Sequence, residues 1–293
     1  MNDQQTAIVA GIDFSSASNN VVKHALGISA HQQVPCVLVH VMPEDFFQRH
    51  KSQAESIFEN LRQQAQEKIE GLISADCQAK DVAIYVCKGK PVAELQQAVQ
   101  SHKACMLVIA ANDLTKKHLG TVASRCVRTM PCDVLILRDW QGAKFKRILV
   151  CVDYSRTSAK ALERAADLAL SYGAHLDIIH VMYPPAEDYW GKSQSGDDVD
   201  TESYVEQCRE SANAQMTKFL AACPVSLAQI DHSYEICESR LPSVAITHKA
   251  MDLNVDLVVL GTHGMSGFVS NFIGSNAERL INDSSVSVLA VRD

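Results

Sequence analysis

Two short stretches in the second half of the chain have the residue types and spacing of an anion site. Gly261-Thr262-His263-Gly264-Met265-Ser266-Gly267 follows the apolar run VDLVVL, and Gly274-Ser275-Asn276 opens the amphipathic run AERLI. Glycines let backbone N–H groups approach an anion, and a helix N-terminus presents unpaired N–H groups with a favourable dipole. The Ser275 hydroxyl adds a donor. Together they can cradle phosphate. No Gly-Lys-Ser/Thr follows, which excludes a Walker loop, and G-x-G-x-x-G is absent, which excludes the dinucleotide fingerprint. Glycines also serve plain turns. The position after a buried strand and before a helix favours binding.

Other candidate groups are fewer. His263 lies inside the glycine loop and is the best candidate for proton chemistry. His40 and His180 each precede a strand end, and their repetition reads as a structural role. No convergent carboxylate pair, Ser-His-Asp order or metal triad is visible, so the sequence offers no catalytic residues. Of the 10 cysteines, none forms C-x-x-C, and most sit in apolar segments such as VPCVLVHV, as buried reduced thiols do. Cys208, Cys223, His232 and Cys237 could in principle hold zinc, but their spacing matches no standard ligand set.

The elements that must position these residues come in two copies. AIVAGIDFSSASNNVVKHAL from Ala7 matches RILVCVDYSRTSAKALERAA from Arg147, pairing Asp13 with Asp153, Ser15 with Ser155 and Ser18 with Ser158 at an offset of 140. The same offset carries His40-Val41-Met42 onto His180-Val181-Met182. It widens to 150 at Leu107/Leu257 and to 154 at Arg138/Arg292, so the second copy has longer loops, one of them in the acidic segment 183–203. Apolar runs predict strands at 7–12, 35–41, 82–87, 105–110 and 133–137, and again at 147–152, 175–181, about 230–236, 255–260 and 286–291, apolar on both faces like buried parallel strands. Apolar stripes predict helices over 55–73 and 203–220, and Pro91 and Pro242 each open another. Strand–helix alternation implies an α/β fold: two tandem, doubly wound (Rossmann-like), five-stranded parallel-sheet domains, 1–140 and 147–293, joined by the short polar linker 140–146.

Charge narrows the partners. Net charge is -7, with 16 Lys+Arg against 14 Asp+Glu in residues 1–146 and 11 against 20 in residues 147–293. Neither half has the basic face that a nucleic-acid backbone requires, so no nucleic-acid partner is expected. No apolar run reaches the ~18 residues of a membrane span, and MNDQQTAIVAG has no basic start. No membrane anchor is expected, and the expected compartment is the cytoplasm.

The pattern G-x2-G-x9-G-S, carried by Gly261, Gly264, Gly274 and Ser275, resembles the nucleotide-binding signature of the universal stress protein family. The strand ending in Asp153, the His180-Val181-Met182 strand end and the closing VLAVR strand are similar to that family too, over essentially the whole chain, and the doubling resembles its tandem members. The resemblance implies ATP in the second domain. Asp153 and Val181 would border adenine and ribose, Gly261 and Gly264 would lie against ribose and phosphates, and Gly274, Ser275 and Asn276 would hold phosphates. Magnesium would bind through phosphate oxygens, with no protein metal ligands.

The first domain departs from the pattern. Ala111 and Leu114 stand where Gly261 and Gly264 stand, and because the offset grows from 150 to 154 the loop is four residues shorter. Side chains at 111 and 114 are expected to obstruct a ligand, leaving a degenerate domain; Lys116 and Lys117 read as solvated loop lysines. In the second domain Arg240 replaces a small residue near the expected mouth and reads as an exposed loop arginine. The family's single-domain members pair through their last strands. A tandem chain would therefore form a pseudo-dimer within itself, with 133–138 beside 286–291 and a further homodimer left open. The function expected is a stress-response module that binds ATP or a related nucleotide. Two alternatives stand beside it, a binder of a non-nucleotide ligand in an inter-domain or N-terminal pocket and a weak ATPase.

Overall fold

The computed structural model describes residues 7–48, 54–74, 77–111, 119–138, 144–183, 201–264 and 273–293, with the backbone alone for 201–204. The first half runs β1 (Ala7–Ile12), α1 (Ser18–Gln32), β2 (Cys36–Pro43), α2 (Glu44–Gln48), α3 (Ala54–Glu70), β3 (Val82–Gly89), α4 (Pro91–Ser101), β4 (Ala104–Ala110), α5 (Thr121–Thr129) and β5 (Asp133–Leu137). The second runs β6 (Arg147–Val152), α6 (Arg156–Tyr172), β7 (His175–Met182), α7 (Thr201–Ala221), β8 (His232–Glu238), α8 (Pro242–Asp252), β9 (Leu257–Gly261), α9 (Ser275–Asp283) and β10 (Ser287–Val291).

All ten strands join one sheet in the order β3-β2-β1-β4-β5-β10-β9-β6-β7-β8. The order reads as a mirror about β5–β10, which is the pseudo-two-fold. Pairings are parallel within each half, and the halves meet where β5 and β10 run antiparallel, with Leu135 opposite Leu289. The strand edges expected to lie together do so. One core layer packs α1 and α6 on one face of the sheet, and the other packs α4, α5, α8 and α9 on the opposite face.

Each half also reaches across the seam. Arg138 N–H donates to Ser287 Oγ (3.2 Å), and Arg292 N–H donates to Asp133 Oδ1 (2.9 Å). The Arg138 guanidinium donates to the carbonyls of Ile281 and Asn282, and that of Arg292 to those of Val127 and Arg128. Each terminal arginine thus satisfies the last carbonyls of the other half's final helix, where no intrahelical partner exists. Not every crossing contact has a twin: Arg164 Nε donates to buried Asp133 (3.0 Å), whereas His24 and Ser287 hold the matching positions. Burial pushes the Asp133 carboxyl above its ordinary value, despite these two donors.

Two expectations need correction. The runs at 82–87 and 230–236 are not buried on both faces; β3 and β8 are the sheet's edges, and Tyr85 and Tyr234 are exposed. Nor is the linker 140–146 wholly polar surface. Phe145 is buried at 1% exposure, its ring stacked on His24 (centroids 4.6 Å) and edge-on to Tyr172 (5.7 Å). Residues 140–143, and most of the acidic segment 183–203, lie outside the described residues.

At the N-terminal end of the second half-sheet, buried Asp177 accepts from Arg147 Nε (2.7 Å), Arg147 Nη2 (3.1 Å) and Ser233 Oγ (2.9 Å). Burial alone would raise its pKa, but these donors outweigh burial and hold the carboxyl below the ordinary range. Its folded-state pKa therefore lies below the unfolded one. The stabilisation is complete above about pH 4 and fades as pH falls through the folded value. Urea unfolding of wild type and Asp177→Asn should show a stability gap that is constant near neutrality and narrows below about pH 4; a gap independent of pH would contradict this. Leu289→Ala, at the fully buried dyad, should cost about 2–5 kcal/mol in the same measurement.

Candidate functional site

The second half's first strand, β6, lies between β7 and β9, so the strand order reverses between β6 and β9. Open α/β sheets bind ligands in the crevice beyond the strand ends at such a point. A cavity of about 440 Å³ opens there. The seven residues singled out in the sequence, Asp153, Val181, Gly261, Gly264, Gly274, Ser275 and Asn276, all line it. Thr262, Ser158 and Ile246 line it as well and were not singled out. Met265, Ser266 and Gly267 lie outside the described residues, as do Lys116 and Lys117.

Asp153 is positioned by its own turn. Its Oδ1 accepts from Ser155 N–H (3.0 Å), and Ser155 Oγ in turn caps α6 by accepting from Ser158 N–H (3.1 Å). Between them Tyr154 adopts a left-handed φ of 63°, an uncommon and costly conformation for an aromatic residue. Its ring lies 4.3 Å (centroids) from His180, whose Nδ1 is 2.8 Å from the Val152 carbonyl. A carbonyl only accepts, so this nitrogen carries the proton. The first half repeats the device: Phe14 has φ 57°, its ring lies 4.5 Å from His40, and His40 Nδ1 donates to Ile12 O (2.7 Å). The two histidines tie strand 1 to strand 2 and hold the turn.

The glycine loop is anchored through Thr262. Its N–H and its hydroxyl both donate to Val291 O (2.9 and 3.1 Å), and its carbonyl accepts Gly274 N–H (2.9 Å), bringing the loop start against the start of α9. With that hydroxyl proton committed, Thr262 Oγ1 accepts from His263 Nδ1 (3.0 Å). His263 Nε2 is left as a buried acceptor with no partner among the described residues.

The three glycines differ in what they do. A Cβ on Gly261 would meet Thr157 Cγ2 at 2.9 Å and the Thr157 backbone at 3.2 Å, so this glycine lets α6 pack on β9. A Cβ on Gly264 would press on Asp153 Oδ2 at 2.8 Å. A Cβ on Gly274 would meet nothing nearer than 3.8 Å, and its φ of -58° suits any residue. Gly274 is the N-cap of α9, and no side chain among the described residues caps that helix. The first N–H groups of α9 therefore open into the cleft.

In the first half Ala111 stands where Gly261 packs on Thr157, and the residue matching Thr157 is Ala17, so the methyl has moved from helix to strand. Leu114, the other residue expected to obstruct a ligand, lies outside the described residues. Other substitutions alter that crevice. Cys151 lines the second cleft; its counterpart Gly11 has Ile109 and Leu95 so close that a Cβ would sit 3.0 and 3.2 Å from them. Glu94, in place of Ala245, folds its carboxylate over Gly89 at the end of β3 and, after burial, is the next cause raising the Cys87 thiol to about 11.

All ten cysteines are free, and burial pushes Cys36 and Cys151 up to about 12. Among the described residues no three His, Cys, Asp or Glu side chains converge as a metal would require, the set Cys208, Cys223, His232 and Cys237 included. Arg240 packs over the exposed Tyr183 ring (5.9 Å). Among the described residues no helix is long and apolar enough to cross a membrane.

Fold and crevice define a tandem, doubly wound α/β protein in which the two halves share one sheet. The model of the universal stress protein family matches residues 6–138 and 144–292, and the chain belongs to that family. Universal stress protein A homolog 1 of Coxiella burnetii is 28% identical over 153 residues, spanning 50% of this chain and 96% of that protein. A universal stress protein of Mycolicibacterium smegmatis is 23% identical over 301 residues, 97% of this chain and 96% of its own. A putative universal stress protein from Pseudomonas aeruginosa shares the fold at a TM-score of 0.68 and 18% identity, covering 98% and 92% of the two chains.

The methyl exchange yields a double-mutant test. Gly261→Ala should lower stability by about 1–3 kcal/mol through overpacking, and Thr157→Ala in the same chain, which recreates the Ala17/Ala111 pair, should recover most of it. Thermal unfolding of the four proteins checks this; additive losses would contradict it.

Proposed function

We propose that the second half is a nucleotide-binding module of the stress response that takes ATP or a close relative. The observation that carries this reading is Gly274: among the described residues nothing demands a glycine there, yet it heads a helix whose first N–H groups face the cleft with no side-chain cap among those residues. Such a terminus suits a phosphate. The volume of about 440 Å³ lies within the usual range for small-molecule sites, and the unpartnered acceptor on His263 suits a ligand hydroxyl or amine.

Asp153 and Val181 would border the nucleoside, Gly261 and Gly264 would lie along ribose and phosphates, and Gly274, Ser275 and Asn276 would hold the phosphates. Magnesium would be bound by phosphate oxygens, in keeping with the lack of a converging protein ligand set among the described residues. Bound nucleotide would act by biasing conformation or assembly. The first half, with Glu94 at the matching strand end, would bind triphosphate weakly or not at all.

Titration calorimetry with magnesium-ATP should give one site per chain. Gly274→Asp should reduce affinity more than about tenfold, since a carboxylate would meet the phosphates. Aspartate is a favourable N-cap, so this variant keeps its helix. Gly120→Asp, at the matching position of the first half, should leave the titration unchanged. Absence of heat from wild type, or full binding by Gly274→Asp, would overturn the reading.

A further inference from the structure

A second cavity, of about 480 Å³, lies between the halves, away from the nucleotide cleft. Its walls come from α1 (Lys23, Leu26, Gly27, Ala30, His31), from the segment after α3 (Leu72, Ser74, Cys77, Gln78), and from Lys144 with Ser171 and Tyr172 of the second half. The repeat shows how it arose. On α6 the positions matching Lys23, Gly27 and Ala30 are Glu163, Asp167 and Leu170. Relative to its sibling, α1 has lost side-chain volume at two positions and exchanged a negative charge for a positive one at a third. A Cβ on Gly27 would meet nothing within 4 Å among the described residues, so the helix backbone itself is bare to the cavity there.

The chemistry of the walls is specific. Among the described residues, Lys23 and Lys144 have no ion pair or hydrogen bond, whereas His31 interacts with Asp167. Leu26, Ala30 and Leu72 supply apolar surface. Tyr172 supplies an aromatic wall held in place by its neighbours: its hydroxyl lies 3.4 Å from His24 Nδ1, and its ring stands edge-on to buried Phe145. A bare helix backbone and a fixed ring suit a flat apolar body, and two ammonium groups suit an acid group attached to it.

We propose that this cavity is a second ligand site, for a planar aromatic anion whose acid group pairs with Lys23 and Lys144. Both halves and the segment joining them contribute to the walls, so occupancy would couple the two domains.

The test uses the whole chain and the fluorescent probe 8-anilinonaphthalene-1-sulfonate, titrated with magnesium-ATP in excess to keep it from the other cleft. Wild type should show saturable enhancement at one dye per chain. Gly27→Phe, which fills the cavity from a position with room for a side chain, should abolish it. Lys23→Glu combined with Lys144→Glu, both exposed, should weaken dye affinity at least several-fold with an unchanged melting temperature. Gly27→Leu is the milder filling variant should the phenylalanine disturb folding, as circular dichroism would reveal. No saturable enhancement in wild type, dye binding intact in the filled variants, or indifference to the charge reversal would each overturn the proposal. Gly274→Asp should bind dye normally, so failure of the nucleotide reading is distinguishable from failure of this one.

Discussion

The antiparallel contact between β5 and β10 is the constraint on which the molecule rests. Each half is a five-stranded parallel sheet with helices on both faces, and each would otherwise expose its last strand, whose residues are all buried. Pairing Val134, Leu135 and Ile136 with Ala290, Leu289 and Val288 removes both exposed strands at once. The terminal arginines then close the remaining polar gaps: strands too short to bury every helix end are supplemented by guanidinium groups that reach the orphan carbonyls of the opposite half.

Within that frame the copies have diverged by compensated steps. The methyl moved between helix and strand at Ala17/Ala111 and Thr157/Gly261 keeps the contact while changing both residues. Asp153 and Asp13 keep the same turn, with the same left-handed aromatic residue and the same histidine tether, although the crevices they border differ. The turn is thus part of the fold, and the second cleft differs from the first crevice in having Cys151 in place of Gly11 and in its glycine loop.

Much of this was legible in the residues. The ten strands, the helices opened by Pro91 and Pro242, and the glycines with Ser275 and Asn276 follow from buried runs, helix-start chemistry and the repeat offset, whereas Asp153 and Val181 were placed at the crevice by the family resemblance. The partial exposure of β3 and β8 was not legible, because edge status depends on strand order, which no run of residues states. The reason for Gly261 was hidden for a similar cause: its partner Thr157 lies on another element. Phe145 looked like linker because its neighbours are polar, and only the arrangement of α1 and α6 gives it a pocket. The inter-domain cavity is encoded by what Gly27 and Ala30 lack, which becomes visible only against their counterparts on α6.

The seam has a further consequence, for dilution. When two separate subunits meet through such a strand pair, the joined form is lost as concentration falls. Here the strands belong to one polypeptide, so their encounter is intramolecular and the joined state is independent of how scarce the protein is in solution. A further copy that added to the sheet by strand pairing would meet the outer strands β3 and β8. There the ion pairs Lys88–Glu55 and Lys249–Glu235 set charged groups beside the backbone, a placement that discourages open-ended growth of the sheet.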